Sequence, residues 1–235
     1  MISIQNLYKN FGKVEVLKGL DLDISSGGIF AILGPNGSGK TTLIKSMLGM
    51  VIPDKGNISI GGVDVLKKFL YRDRINYLPQ IANFPNNLTV RELIKMIKNL
   101  RGKPSDDLNL LEFFDLKPFL DKKLANLSGG TRQKVNLLLT FMFDSELIIL
   151  DEPTSGLDPV SLIKLKKIIN KEKSNGKTIL ISSHIISFVE EIADEIVFLL
   201  DGKIYFKGTI GALQSQTGQK SLETAIATIL TTAND

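Results

Sequence analysis

Ile29-Phe30-Ala31-Ile32-Leu33-Gly34-Pro35-Asn36-Gly37-Ser38-Gly39-Lys40-Thr41-Thr42 is the stretch on which the fold turns. The apolar run from Ile29 to Leu33 reads as a buried strand, and Leu43, Ile44, Met47 and Leu48 recur at the spacing of one helix face. Between them the chain matches the pattern of glycine, four residues, glycine, lysine and serine or threonine that cradles a polyphosphate. Glycines let the backbone curl so that its N–H groups and the helix N-terminus surround the anion. Lys40 adds a charge at the β and γ phosphates, and Thr41 adds a hydroxyl for magnesium. A glycine-rich turn closing an unrelated α/β unit is the plain alternative, but the strand before and the helix after favour nucleotide binding.

Towards the N-terminus, Ile2/Ile4/Leu7 and Val14/Val16/Leu17/Leu20/Leu22/Ile24 have strand-and-turn texture, punctuated by Gly12 and Gly19. Residues 57–60 and 63–65 predict a small hairpin around Gly61-Gly62. After Tyr77-Leu78-Pro79-Gln80 the texture changes: residues 90–100 and 108–116 have helical spacing, and residues 83–126 read as an inserted helical lobe. Strand texture returns at residues 147–150 and 178–182, with a lysine-rich amphipathic helix over 160–173 between them, an alternation that predicts a parallel α/β sheet. A hairpin over 196–200 and 203–206 turns at Asp201-Gly202, and residues 209–235 read as a helical tail with no further domain. The whole of 1–235 is expected to form one domain.

Composition narrows the function. The chain has 235 residues, 43% hydrophobic and 23% charged, an ordinary globular mixture that excludes disordered, collagenous and coiled-coil classes. It has no cysteine, which excludes disulfides, thiolate metal sites and cysteine nucleophiles and suits a reducing compartment. A net charge of +4 does not choose between anionic ligands and membrane surfaces. No run approaches the roughly 18 apolar residues of a membrane span, and the N-terminus has no basic region followed by an apolar one. A soluble, cytoplasmic protein is the expectation, with any membrane role requiring a separate spanning partner.

Two further segments carry chemistry. The apolar strand Leu147-Ile148-Ile149-Leu150 ends in Asp151-Glu152. Asp151 can hold magnesium through water, and Glu152 can polarise a water for in-line attack on a γ phosphate. Alone, such a pair is often a solvated turn; beside a phosphate loop that reading weakens. Leu127-Ser128-Gly129-Gly130-Thr131-Arg132-Gln133 opens an apolar helix with a capping serine and two glycines. It reads either as a plain N-cap or as a second anion site, and a second site with one nucleotide suggests sharing between subunits.

These segments, in this order and spacing, resemble the ATPase subunits of ATP-binding cassette (ABC) transporters. Gly34 to Thr42 stands as the Walker A loop, Leu127 to Gln133 as the signature motif and Leu147 to Glu152 as the Walker B strand. Gln80 is similar to the Q-loop glutamine, Ser155-Gly156-Leu157-Asp158 to the D-loop, and His184, the only histidine, to the switch histidine. The resemblance covers residues 1–208. It implies a P-loop NTPase core of the α/β class with a mostly parallel sheet, an N-terminal antiparallel β subdomain and the inserted helical lobe.

The resemblance also implies ATP and Mg2+ as cofactors and a head-to-tail homodimer. Each ATP would lie between one subunit's Gly34, Pro35, Asn36, Gly37, Ser38, Gly39, Lys40, Thr41 and Thr42 and the other's Ser128, Gly129 and Gly130, with Asp158 nearby. Glu152 is then the general base, His184 a γ-phosphate contact that helps orient the attacking water, and Thr41, Gln80 and Asp151 the metal-side residues. Phe11, or in its place Tyr8, would stack on adenine. Thr131 departs from the glutamine, glutamate or methionine common at its position, which bears on closure of the dimer. The compact lobe is more like exporter ATPases that work with a separate membrane permease at the inner face of the membrane.

Phe84, Phe113, Phe114 and Phe119 are candidates for a docking groove, and the six lysines between 164 and 177 are either a lipid-facing or a solvated helix face. Residues 77–85 faintly resemble ATPases that serve maturation of copper enzymes of nitrous oxide reduction. The competing function is a non-transport ABC ATPase acting on nucleic acid or the ribosome; a single cassette without cysteine or a long insertion disfavours it, and no nucleic-acid partner is expected.

Overall fold

The computed structural model describes residues 1–232, folded around two sheets. The first is antiparallel. Strands β1 (Ile2–Phe11) and β2 (Val14–Ile24) form a long hairpin in which Phe11 faces Val14 across the turn, and β1 pairs on its other edge with β4 (Lys55–Ile60), which carries the short β5 (Val63–Asp64). Ile2, Ile4, Leu7, Leu17, Leu20, Leu22 and Ile24 are all buried, so the alternation seen in the sequence is one sheet face turned to the core.

The second sheet has the order β10-β9-β3-β8-β7-β6. Strands β3 (Gly28–Leu33), β6 (Ile75–Leu78), β7 (Leu147–Asp151), β8 (Thr178–Ser182) and β9 (Glu195–Leu200) run parallel, and β10 (Lys203–Gly208) closes one edge as the antiparallel arm of a hairpin. Its central strands are near-continuous apolar runs because both faces are covered. Within β3 the covering alternates: Ile29, Ala31 and Leu33 point into one core, which continues into the helical lobe, while Phe30 and Ile32 point into the other, shared with the antiparallel sheet and α1 (Lys40–Met47).

The lobe contains α2 (Val90–Arg101), α3 (Asp107–Phe113) and the start of α4 (Gly129–Phe141). Thr89 and Glu92 form a reciprocal cap at the N-terminus of α2, and Gly102 ends the helix in the left-handed region. Helix α5 (Pro159–Ser174) links β7 to β8, α6 (Ile186–Ile192) precedes β9, and α7 (Ile210–Thr217) and α8 (Leu222–Thr232) follow β10. Leu222, Ala225 and Ile226 of α8 are buried in the lobe-side core.

The mixed α/β architecture follows the sequence expectation, with three local differences. The helix expected over 108–116 stops at Phe113, because Phe114 turns inward to complete burial and Asp115 adopts a φ of 56° ahead of Pro118. The four candidate docking phenylalanines therefore form no single groove. Phe84 lines a cavity of about 200 Å3 beside Tyr77, Ile97 and Arg101, whereas Phe113 lines another of about 230 Å3 between α3 and α5. Of the six lysines on and after α5, four are tied to carboxylates: Lys164 to Asp115, Lys166 to Glu191, Lys173 to Asp194 and Lys177 to Asp144.

Candidate functional site

The loop between β3 and α1 carries the first set of groups. Gly34 sits at a φ of 152°, and a Cβ there would fall 2.0 Å from the carbonyl oxygen of Leu199, so only glycine lets the loop leave the strand this close to β9. Gly39 holds the N-cap position of α1 and no side chain caps that end, leaving the first-turn N–H groups open to an anion. Lys40 is buried; its ammonium donates to the carbonyl oxygens of Gly34 at 2.7 Å and Pro35 at 3.1 Å. Burial lowers its pKa from the ordinary lysine value, opposed by the charges of Glu152 and Asp151. The buried hydroxyl of Ser38 has no hydrogen-bond partner among the described residues.

The carboxylates come from the neighbouring strands. Parallel pairing of β7 and β8 sets Asp151 opposite Ser182, and the Ser182 hydroxyl donates to Asp151 Oδ1 at 2.5 Å. Asp151 is 1% exposed, and its Oδ2 has no partner among the described residues. Burial pushes the Asp151 carboxyl above the usual carboxylate range. Glu152 adds to the shift, and Ser182, Lys40 and Lys45 oppose it. Beyond the strand the chain turns sharply: Glu152 has a φ of 51°, a conformation a non-glycine residue adopts only when its surroundings hold it. Its N–H donates to the Ser182 carbonyl and hydroxyl oxygens, each at 3.1 Å, and its Oε2 lies 2.7 Å from His184 Nδ1.

Asn36, Gly37, Gly39, Lys40, Thr41, Thr42, Gln80, Asp151 and Glu152 line one open cavity of about 450 Å3, together with Val14 and Val16. An orphaned buried carboxylate oxygen and a threonine hydroxyl suit a divalent cation, while a buried ammonium and an open helix N-terminus suit the polyphosphate that carries it. His184 joins through Glu152. Phe11 is half exposed beside the hairpin turn, with the Lys9 ammonium 5.3 Å from its ring centroid.

Ser128, Gly129, Gly130 and Asp158 do not line this cavity. Ser128 caps α4, accepting from the Thr131 N–H at 3.3 Å, and its hydroxyl lies 2.9 Å from that of Thr131. A Cβ on Gly130 would sit 2.9 Å from the Gly156 carbonyl oxygen, so the glycine allows the helix start to pack against the loop after β7. Gln133 ties the same two elements, donating to the Pro153 carbonyl oxygen at 3.2 Å. Asp158 caps α5 by accepting from the N–H and hydroxyl of Ser161, each at 2.8 Å, and those bonds hold its carboxyl below the usual range.

Ser182, Lys45, Val14 and Val16 escaped sequence reasoning. Ser182 had a signal, a small polar pair ending an otherwise apolar strand, but its relation to Asp151 depends on strand register. Val14 and Val16 read only as sheet residues.

A family profile described as "ABC transporter" matches residues 17–155. Among curated proteins, the chain is 34% identical over 227 residues to the uncharacterized ABC transporter ATP-binding protein YhaQ of Bacillus subtilis (strain 168), covering 94% of this chain and 76% of that protein. It is 36% identical over 205 residues to the lantibiotic transport ATP-binding protein SrtF of Streptococcus pyogenes, covering 87% and 89%. It is 33% identical over 229 residues to the Nod factor export ATP-binding protein I of Burkholderia lata, covering 94% and 75%. Among solved structures, the ATP-binding subunit of an ABC transporter superimposes with a TM-score of 0.90 at 30% identity, covering 97% of this chain and 98% of that one. A dimeric ATP-binding cassette in a post-hydrolysis state with ADP and Pi superimposes with a TM-score of 0.80 at 25% identity, covering 89% and 98%.

Proposed function

This chain belongs to the ABC transporter family as an ATP-binding, ATP-hydrolysing subunit, and we propose that it powers an exporter: two copies close head to tail over two ATP and drive a separate membrane permease. One observation carries this reading. The cavity unites Lys40, Thr41, Gln80, Asp151 and Glu152, the groups for binding and hydrolysing a nucleoside triphosphate, but none of Ser128, Gly129 or Gly130 lines it. A second copy supplying its own helix start at Ser128 completes the phosphate shell, and two equivalent sites follow from the two-fold arrangement.

In this reading Lys40 and the loop N–H groups bind the β and γ phosphates, and Thr41, Asp151 and Gln80 hold Mg2+. Magnesium, when bound, neutralises charge developing on the phosphate oxygens. Glu152 accepts the proton of the attacking water, and His184, hydrogen-bonded to Glu152, contacts the γ phosphate and steadies both. The Glu152 turn, held by Ser182, keeps the base at a fixed position, so little of the barrier goes to orienting it. Phe11 stacks on the adenine. Ser128 and Asp158 act from the partner's side.

Among the described residues no helix is long and apolar enough to cross a membrane. In this reading the permease is a separate polypeptide, and the subunit lies peripherally on the cytoplasmic face through it, with the lobe at about 83–126 and the tail from about 209 belonging to the same ATPase domain. The relative named for Nod factor export supports the outward direction. The test is ATP hydrolysis by the purified chain alone, with a membrane subunit that co-purifies with it reconstituted in liposomes, and with RNA or ribosomes. Stimulation by the permease is the expected result; stimulation by RNA or ribosomes alone would overturn the transport reading.

A further inference from the structure

The segment Leu66-Lys67-Lys68-Phe69-Leu70-Tyr71-Arg72, between β5 and the edge strand β6, turns its apolar residues the wrong way for a core loop. Tyr71 is buried, yet Phe69 is 70% and Leu70 is 65% exposed, and Leu66 is exposed beside them. The Gly49 carbonyl accepts from Arg72 Nη2 at 3.2 Å, which brings the turn after α1, with its exposed Met50 and Ile52, alongside. Single exposed apolar residues are ordinary, but five large ones on two adjoining turns mark an interaction surface.

The cations lie in the same segment. Asp64 fixes the loop, its carboxylate accepting from the Leu66 N–H at 2.9 Å and its carbonyl oxygen from the Lys67 and Lys68 N–H groups at 3.3 and 3.2 Å. Lys67 makes only a solvent-exposed pair with Asp64, and Lys68 has no ion-pair partner among the described residues. The acidic groups nearby are Asp64, Asp73 and Glu146, the last paired with Arg74, against Lys67, Lys68, Arg72 and Arg74. On α5, by contrast, most lysines are already matched by carboxylates. Leu66, Phe69 and Leu70 line none of the cavities described above, and their exposure sets them outside the packed core.

We propose that this loop is a direct contact for an anionic bilayer: Phe69 and Leu70 enter the boundary between headgroups and acyl chains while Lys67 and Lys68 lie against lipid phosphates. An exposed apolar tip with cations beside it is the surface that partitions into such an interface, and the loop's hydrogen bonds to Asp64 pre-order it. The contact is independent of the nucleotide site and adds a lipid term to any attachment through a permease.

The full chain is mixed with vesicles of phosphatidylcholine containing phosphatidylglycerol, and with vesicles of phosphatidylcholine alone, then sedimented. Binding is expected to the anionic vesicles and to weaken with salt. It should fall roughly tenfold or more in Phe69→Ser/Leu70→Ser and about fivefold for each lysine removed in Lys67→Gln/Lys68→Gln, with ATP affinity unchanged. The chain has no tryptophan, so Phe69→Trp is a unique reporter whose emission should shift to the blue on anionic vesicles. Equal binding to both vesicle types, undiminished binding by the double variants, or no shift in Phe69→Trp would overturn the proposal. So would variants that keep vesicle binding but lose stimulation by the permease, since the patch would then dock protein.

Discussion

The Nδ1 atom of His184 lies 2.7 Å from Oε2 of Glu152, so an imidazole 64% exposed at the site's surface is tied to a carboxylate only 7% exposed beneath it. In the proposed mechanism the second oxygen of Glu152 takes a water and the far edge of the ring takes a phosphate, a division of labour that one residue could not supply.

Glu152→Gln keeps the shape and one hydrogen-bonding oxygen but removes the carboxylate proposed as the base. ATP binding should persist, turnover should drop by roughly 100-fold to 10,000-fold, and a closed dimer should accumulate with ATP. Equilibrium nucleotide binding, steady-state phosphate release and size-exclusion chromatography read the three outcomes; normal turnover would remove Glu152 as the base.

Asp151 is a case where function and stability oppose one another. A carboxyl whose folded pKa is raised costs nothing below its unfolded value of 3.8 and costs most once ionised above its folded value. Asp151→Asn keeps an acceptor for Ser182 and carries no charge. The nucleotide-free variant should melt a few degrees above the parent at neutral pH, and the gap should close as pH falls towards 3.8. The added stabilisation that the parent gains from ATP with Mg2+ should be lost in the variant. Calorimetry across pH, with and without ATP and Mg2+, checks both halves; a variant less stable than the parent at neutral pH would contradict the first.

Ser182→Ala removes one hydroxyl that serves two neighbours, donating to Asp151 and accepting from the Glu152 N–H. The loss should cost about 1–3 kcal/mol of stability and reduce turnover more than ATP affinity, because the Glu152 turn loosens. Denaturant melts and a comparison of kcat with KM separate these effects.

How much of this was legible in the chain follows from how local each feature is. The phosphate loop and Asp151-Glu152 announce themselves, because a tight anion cradle needs glycines, a lysine and a hydroxyl in consecutive positions. Ser182 does not, since only the β7–β8 register makes it the partner of Asp151. The short edge strand β6 and helix α6 carry too few residues to show a period. Phe113 and Phe114 read alike in sequence, yet the two rings meet edge to face at 4.9 Å and diverge, one half-buried and one wholly inside. The bridge of Glu152 to His184 spans 32 residues and exists only once β7 and β8 lie side by side.

Lys40→Ala removes the buried ammonium that bonds Gly34 and Pro35 across the loop. Two losses are expected together: ATP affinity weaker by roughly tenfold or more, and a loop whose carbonyl oxygens need new partners. Because desolvation already costs the ammonium, the nucleotide-free variant should lose little melting temperature. Unchanged ATP affinity would count against the loop as the phosphate site.

Thr131 is where the chain departs from its resemblance, and the geometry suggests what the departure does. Its hydroxyl lies 2.9 Å from that of Ser128, and its N–H donates to the same oxygen. With Thr131 as donor, both bonds enter Ser128 through its oxygen and leave the Ser128 hydrogen free for a phosphate across the dimer. Thr131→Val keeps the volume and the backbone bond and deletes the hydroxyl. ATP-driven dimerisation in a Glu152→Gln background should weaken by roughly threefold to tenfold, the worth of one hydrogen bond, while ATP affinity of the monomer stays the same. Sedimentation equilibrium measures the first and nucleotide titration the second. If the hydroxyl instead holds Ser128 away from the phosphate, the same variant will dimerise more tightly, so the sign of the change decides which of the two hydroxyls is the donor.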